Sequence, residues 1–231
     1  MIPIRDNVPS RSFPVVTVLL IVVNTAVFIY EVALGSRGLA GFVSRNALIP
    51  VQVTSQFSGL SPAGARDFLT FFTAMFLHGG WLHLIGNMWF LWIFGDNVED
   101  RLGHFRYLAF YLLCGLIGNL AHYGLNPASA LPALGASGAI AGVLGAYVLS
   151  YPGARILVLL PVFFFIQFVE LPALIVLGLW FVLQFLNGAA SVVAAGEAGG
   201  VAWWAHIGGF LGGMVIFNVF RPRPRAGYLR R

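Results

Sequence analysis

The stretch Gly135-Ala136-Ser137-Gly138 places a serine between small residues, at the start of an apolar run that continues to Tyr151. A serine in this position most often caps a helix through its hydroxyl group. The other use of such a serine is as a nucleophile, which needs a nearby general base. His206, far downstream, is the candidate for that base. The rest of the sequence decides between these two interpretations.

The composition indicates a membrane protein. Of the 231 residues, 59% are hydrophobic and 9% are charged, and the mean hydropathy is +0.86. A typical soluble domain has about 25% charged residues. No stretch resembles an interdomain linker or a low-complexity tract. We therefore expect a single domain over residues 1–231, with an all-α polytopic membrane fold.

The positive charge is concentrated at the end of the chain. The net charge is +5, and the 13 basic residues are all arginines. Five of them crowd the C-terminal tail: Arg221, Arg223, Arg225, Arg230 and Arg231. Positive charge next to an apolar segment favours a position on the cytoplasmic face of a membrane, and not a nucleic-acid partner. Cys114 is the only cysteine, so no disulfide can form within the chain.

Six apolar segments predict six transmembrane helices, since about 20 apolar residues cross a hydrocarbon core of ~30 Å. Their approximate ranges are 14–34, 81–102, 104–125, 137–151, 171–186 and 201–220. The fourth is short, so its Ser137 end should begin below the outer surface, shielded by the other helices. We expect the long connection 35–80 to hold short helices in the outer interface. Residues 154–169 are expected to form a partly buried interfacial segment.

The even number of spans puts both termini on the same side. The loops 126–134 and 187–200 contain no arginine or lysine, which favours the extracytoplasmic side for both. We therefore expect both termini in the cytoplasm and a location in the cell (inner) membrane. Spans two, four and six then all begin at the outer face.

This topology brings four polar side chains to one depth. His83 and Asn87 lie near the start of span two, Ser137 opens span four, and His206 lies near the start of span six. At 1.5 Å per residue, all four fall in the outer third of the bilayer. Polar residues inside a membrane usually face the bundle interior and mark function. We expect them to line one buried pocket on the extracytoplasmic side.

The spacing of these residues suggests their chemical roles. His83 and Asn87 are four residues apart on one helical face, where both could donate to an oxyanion. Backbone N–H groups at the start of span four would add to that site. Ser137 is the candidate nucleophile and His206 the candidate base. No Asp or Glu has an evident claim to orient His206, so a dyad is expected.

Small residues predict that spans four and six pack closely. Ser137, Ala141 and Gly145 recur every four residues, and Gly209 and Gly213 form a GxxxG pair after His206. Such spacing lets two backbones approach each other in a membrane.

Over nearly its whole length, the chain resembles the rhomboid intramembrane serine proteases of the bacterial, six-helix type. Three motifs carry the resemblance: GxSG at Gly135, Ser137 and Gly138, AHxxGxxxG at Ala205, His206, Gly209 and Gly213, and HxxxN at His83 and Asn87. The resemblance implies a catalytic Ser137 and His206, and an oxyanion hole of His83, Asn87 and the Ser137 backbone. It also implies transmembrane protein substrates that enter laterally from the lipid bilayer near span five. No residues suggest a cofactor or metal site.

Other features of the resemblance concern structure. It implies that His78 is a structural histidine near the active site, and that Glu99 and Arg101 form an ion pair that joins helices. Ala141 stands where some members have a tyrosine that stacks on the catalytic histidine, so another group must orient His206. Trp203 and Trp204 are close in sequence, but we expect them to anchor the helix at the interface.

Two other classes of function are weighed against a protease. A haem-carrying or ion-conducting bundle could use His83, His122 and His206, but the small residues of span four argue against a wide haem pocket. A catalytically inactive relative could bind or escort membrane proteins, although both Ser137 and His206 are present. A zinc metalloprotease is disfavoured because the sequence has no HExxH motif.

Overall fold

The computed structural model describes residues 1–58, 65–162, 165–193 and 202–221. The helices are α1 (Val15–Ala33), α2 (Gly35–Asn46), α3 (Pro50–Phe57), α4 (Ala65–Thr73), α5 (Trp81–Leu102), α6 (His104–Leu125), α7 (Ser137–Ser150), α8 (Ala173–Val193) and α9 (Trp203–Phe220). The strands are β1 (Ile2–Asp6), β2 (Arg155–Val162) and β3 (Phe165–Pro172). Parts of two predicted features lie outside the described residues: the loop at 194–201 and the arginines beyond Arg221.

The helices form the expected polytopic membrane bundle. In the described part of the chain, α1, α6, α8 and α9 are long and apolar enough to cross a bilayer. A fifth candidate is α5 together with residues Phe68–Phe76, a pair of segments bent by 87°. Helix α7 has 14 residues, which at 1.5 Å each is too short to reach both interfaces. The predicted bounds of spans two and three agree with α5 and α6.

The fifth predicted span differs from the observed helix at both ends. We expected residues 171–186, whereas α8 runs from Ala173 to Val193. The start is later because Leu171 and Pro172 close strand β3. The end is later because the helix continues through Ala189 and Ala190, and alanine is the best helix former.

Helix α7 is the centre of the bundle. Its residues from Gly138 to Tyr147 are all buried, with α5, α6, α8 and α9 packed around it. Phe94, one of the largest buried side chains, packs edge-on against Tyr147 of α7. This position puts Ser137, its first residue, inside the protein.

A three-stranded antiparallel sheet is present that the all-α expectation did not include. Strand β2 pairs with β1 from Ile2↔Leu159 to Asp6↔Ile156, and with β3 over its full length. Ile156 and Val158 are buried and alternate with more exposed residues, as in a strand with one face on the core. We expected only an interfacial segment at 154–169, because a short apolar run does not distinguish strand from helix.

The sheet is attached to the side of α5. The indole N–H of Trp89 donates to the Pro3 carbonyl oxygen at 2.7 Å, and the Asn97 amide donates to the Val8 carbonyl oxygen at 3.1 Å. Asp6 accepts a hydrogen bond from the hydroxyl of Tyr147, on α7. The first residues of the chain are therefore part of the bundle.

The long connection between spans one and two contains short helices, as predicted. Helices α2, α3 and α4 are followed by a 3-10 turn at Ala74–Phe76, and residues 59–64 lie outside the described part. Their position in the outer interface stays a prediction.

Glu99 joins helices, but not through the predicted ion pair with Arg101. Its carboxylate accepts the backbone N–H groups of Val16 and Thr17 at 2.9 and 2.8 Å, and it also pairs with His104. Within the described residues, no ion pair links Glu99 to Arg101. The first N–H groups of a helix have no partner within that helix, so the carboxylate satisfies them and complements the helix dipole.

Candidate active site

Ser137 is hydrogen-bonded to His206, and no side chain among the described residues caps the start of α7. The Ser137 hydroxyl oxygen lies 2.7 Å from His206 Nε2, with His206 carried by α9. The residue before the helix, Ala136, makes no side-chain cap hydrogen bond. Of the two interpretations of Ser137 in the sequence, the observed contact agrees with the partnership with His206 and not with the cap.

The other ring nitrogen of His206 has a partner that sequence reasoning missed. His206 Nδ1 lies 2.7 Å from the side-chain oxygen of Gln184, on α8. A carbonyl oxygen only accepts, so Nδ1 carries the proton and Nε2 is free to accept from Ser137. Both Gln184 and His206 are buried. The signal available in the sequence was an amide within the apolar segment of span five, where polar residues usually have a function.

Two tryptophans lie beside the imidazole of His206, which has Ala141 where the resemblance implied a stacking tyrosine in some family members. The ring of Trp180, on α8, lies 6.0 Å from that of His206 with 33° between the planes. Trp203 meets His206 edge-on, with 6.1 Å between the ring centroids. Ala141 is buried in α7. We expected Trp203 to anchor the helix at the interface, and the structure shows in addition a contact with His206.

His83 and Asn87 lie across the same cavity, as their spacing on α5 predicted. The backbone N–H of Gly79 donates to His83 Nδ1 at 3.3 Å, so the neutral ring has its proton on Nε2. Asn87 Nδ2 is buried and has no hydrogen-bond partner among the described residues. Both side chains thus have an N–H donor available for a ligand.

Gly135 fits against these two donors. Its φ of +124° is in the region that favours glycine, and a Cβ there would lie 2.7 Å from His83 Nε2 and 3.5 Å from Asn87 Nδ2. The first glycine of the GxSG stretch is therefore required by both the backbone conformation and the space beside His83.

His78 lies behind His83, as expected for a structural residue near the site. It is buried, and its ring contacts that of His83 edge-on with 5.2 Å between the centroids. Its backbone N–H donates to Glu31, a buried carboxyl group on α1, at 3.2 Å. These contacts link the segment before α5 to α1.

The predicted glycines allow α7 and α9 to touch along their backbones. A Cβ on Gly209 would lie 2.0 Å from the Gly138 carbonyl oxygen, and one on Gly213 would lie 2.3 Å from that of Gly142. A Cβ on Gly145 would lie 2.3 Å from the Phe210 carbonyl oxygen. The two helices that carry Ser137 and His206 are held together at backbone contact distance.

All four polar residues predicted to share a depth line one cavity of about 730 Å³. Its wall also includes Gln184 and the tryptophans at 81, 180 and 203. The cavity thus combines a serine hydroxyl bonded to an imidazole with two N–H donors and a largely apolar wall. This set of groups is suited to acyl transfer.

Comparisons with known proteins agree with the fold and with the family resemblance. The family profile described as the Rhomboid domain matches residues 65–223. The mouse presenilin-associated rhomboid-like protein, mitochondrial, is 29% identical over 197 residues, which cover 78% of this chain and 48% of that protein. RHOMBOID-like protein 5 of Arabidopsis thaliana is 33% identical over 157 residues, 68% of this chain and 45% of its own length. The zebrafish presenilin-associated rhomboid-like protein A, mitochondrial, is 35% identical over 141 residues, which cover 58% of this chain and 37% of that protein. The chain thus spans about half the length of these relatives or less.

Proposed function

Since the chain belongs to the rhomboid family, a family of membrane proteins, we propose that it is an intramembrane serine endopeptidase that cleaves transmembrane protein substrates. The observation that carries the proposal is the 2.7 Å contact between Ser137 Oγ and His206 Nε2 at the wall of the cavity. A serine that only stabilised its helix would bond to that helix's backbone, whereas this one faces an imidazole that can take its proton.

In the first step, Ser137 Oγ attacks the carbonyl carbon of the scissile peptide bond while its proton moves to His206 Nε2. The tetrahedral intermediate collapses when the C–N bond breaks, and the imidazolium gives that proton to the leaving amine. The product is an ester between the substrate's acyl group and Ser137. No charge is left over, because the proton lost by the serine is gained by the amine.

The negative charge on the intermediate needs donors in the cavity. The Asn87 amide has a buried N–H group without a partner, and the proton on His83 Nε2 is available on the same side. The start of α7 adds backbone N–H groups and the positive end of its dipole. We assign the oxyanion hole to these groups.

Hydrolysis of the ester completes the cycle. A water molecule attacks the acyl carbon, His206 Nε2 takes one proton from it, and the same proton returns to Ser137 as the ester bond breaks. Bulk lipid supplies no water, so the water must come through the outer end of the cavity, beside Gly79 and Gly80.

The proposal includes a membrane arrangement. Both termini lie in the cytoplasm, the cavity faces the outer side, and residues 1–231 act as one domain. The arginine distribution supports this orientation, since Arg101 and Arg106 flank the turn between α5 and α6 and Arg221 follows α9. Substrates reach the cavity from the bilayer between α5 and α8, the helices that carry its Trp81 and Trp180 walls.

The test is cleavage of a model transmembrane substrate by the purified full chain in detergent or liposomes. We expect Ser137→Ala and His206→Ala to abolish cleavage, and a fluorophosphonate probe to label the parent at Ser137. The matched control is Ser150→Ala at the other end of α7, where the hydroxyl donates to the Ala146 carbonyl oxygen of its own helix. Equal cleavage by the parent and both active-site variants would overturn the proposal.

The same experiment separates the protease from an inactive family member that binds or escorts membrane proteins. An inactive member would bind the model substrate without cleaving it, and the probe would not label Ser137. That pair of results would reject the enzyme and favour the binding function.

A further inference from the structure

We propose that Gln184 is a positioning residue that fixes the tautomer and the orientation of His206, so that the reacting pair of Ser137 and His206 is supported by a third side chain. The inference rests on the proposed function and adds to it the third member for which the sequence offered no candidate.

Two successive hydrogen bonds connect the three side chains. Gln184 Oε1 lies 2.7 Å from His206 Nδ1, and His206 Nε2 lies 2.7 Å from Ser137 Oγ. A histidine can accept the serine proton at Nε2 only if its own proton is on Nδ1, and an acceptor beside Nδ1 favours that form. Gln184 thus supplies what an orienting carboxylate supplies in other serine hydrolases.

An amide suits this position better than a carboxylate does. Gln184 is 8% exposed and His206 is 9% exposed, so the pair lies inside a membrane protein with little access to water. A charged side chain there is expensive, whereas an amide holds the imidazole without adding charge. Among the described residues, the imidazoles of His83 on α5 and His122 on α6 are close enough to His206 to interact with it electrostatically.

One helix provides two of the contacts to the imidazole. Trp180 and Gln184 are four residues apart on α8, so they share a helical face, and both meet His206. Helix α8 is also a wall of the cavity. The orientation of the base therefore depends on the position of the helix beside which the substrate would enter.

The test compares Gln184→Met, Gln184→Glu and Asn187→Leu in the full chain. Methionine keeps the length of the side chain but lacks a strong acceptor, whereas glutamate keeps an acceptor. Asn187 is the control because it lies on the same helix and is exposed, and because the Leu183 carbonyl oxygen is its only hydrogen-bond partner among the described residues. Thermal unfolding confirms that each variant is folded, and Gln184→Leu replaces the methionine variant if that one is not.

Two measurements are made on each variant. In cleavage of the model substrate, Gln184→Met should lower kcat by roughly 10–100-fold, part of the 10²–10⁴ that a general base contributes, with KM little changed. Gln184→Glu should recover part of this loss. The second measurement is the ¹⁵N spectrum of labelled histidine, in which the His206 signals are assigned by their loss in His206→Ala.

The spectrum decides the proposal even if the model substrate is not cleaved. In the parent and in Gln184→Glu, His206 should have its proton on Nδ1, whereas Gln184→Met should show a mixture of the two tautomers. Failure of cleavage in the parent would count against the protease, and not against the positioning role. An unchanged tautomer in Gln184→Met, or an unchanged kcat in an active parent, would reject Gln184 as a positioning residue.

Discussion

Gly138 and Gly209 meet so closely that a Cβ on Gly209 would lie 2.0 Å from the Gly138 carbonyl oxygen. Gly138 follows Ser137 on α7, and Gly209 lies three residues after His206 on α9. The contact therefore fixes the separation of the two helices next to the serine and the histidine. Since the obstacle is backbone, no side chain can move to make room.

The first prediction is that Gly209→Ala pushes α9 away from α7 and lengthens the contact between Ser137 and His206. We expect cleavage to fall about 100-fold, the effect of a misplacement of about 1 Å. The free energy of unfolding should fall by about 1–3 kcal/mol through overpacking. Gly178→Ala is the control, because a Cβ there meets nothing within 4 Å. Parent-like cleavage by Gly209→Ala would show that the backbone contact does not set the site.

The second prediction concerns the unpartnered amide of Asn87. Asn87→Ala should lower kcat by about 10²–10³, because the donor acts on charge that develops in the transition state. Stability should change little, since Asn87 Nδ2 has no partner to lose among the described residues. Asn218→Ala, at an exposed position near the end of α9, serves as the control. A rise in KM with unchanged kcat would assign Asn87 to substrate binding instead.

The third prediction is that Glu99 stabilises the bundle by accepting hydrogen bonds from the backbone N–H groups at the start of α1. Glu99→Ala leaves the N–H groups of Val16 and Thr17 without their acceptor, which should cost about 1–3 kcal/mol of unfolding free energy. Glu99→Gln keeps one acceptor oxygen and should lose less.

The control for Glu99 is Glu170→Gln. Glu170 is exposed, and its pairing with Arg155 at 3.5 Å is that of a surface ion pair, which is worth at most about 1 kcal/mol. Equal losses in thermal unfolding for the two positions would contradict a special role of Glu99.

The fourth prediction is a pH dependence of stability from Asp6, in strand β1. Burial raises the pKa of Asp6 from 3.8 to about 6 in the folded chain, although its hydrogen bond from Tyr147 acts in the opposite direction. Between these two values the folded state binds more protons than the unfolded state, so the free energy of unfolding falls as the pH rises. The stabilising contribution of the Asp6 carboxyl group is fully present below pH 3.8 and is lost above about pH 6.

The measurement is the difference in thermal unfolding between the parent and Asp6→Asn from pH 4 to 7. Asparagine does not titrate, so the variant should lack this component of the pH dependence while other carboxyl groups contribute equally to both proteins. Parallel curves over the whole range would show that the Asp6 carboxyl group titrates alike in the folded and unfolded states.

Much of the architecture follows from the sequence because apolar length and glycine spacing are local properties. The bounds of α5, α6 and α9 could be read from the apolar runs and the polar residues at their ends. The convergence of His83, Asn87, Ser137 and His206 on one cavity followed from their positions near the outer ends of spans two, four and six. The close approach at Gly209 and Gly213 followed from the four-residue repeat of small side chains.

The sheet and the Glu99 contacts required the tertiary structure. Strand β1 pairs with β2, about 150 residues further along the chain. Nothing in the local sequence indicates that the polar N-terminal segment pairs with an apolar hairpin. The family resemblance implied an ion pair between Glu99 and Arg101. The carboxylate instead meets the start of α1, because its position on α5 lies beside those unpaired N–H groups.

By itself, then, the sequence determined the helical membrane bundle and the candidate pair of Ser137 and His206, since both depend on local hydrophobicity and on depth along each helix. The partner of His206 Nδ1 was decided only in three dimensions. Which residue of α8 faces α9 depends on the rotation of that helix about its own axis, and this rotation is set by packing against α9 and by the strand that leads into it. The short α7 supplies the serine, and the turn of α8 places Gln184 behind the histidine.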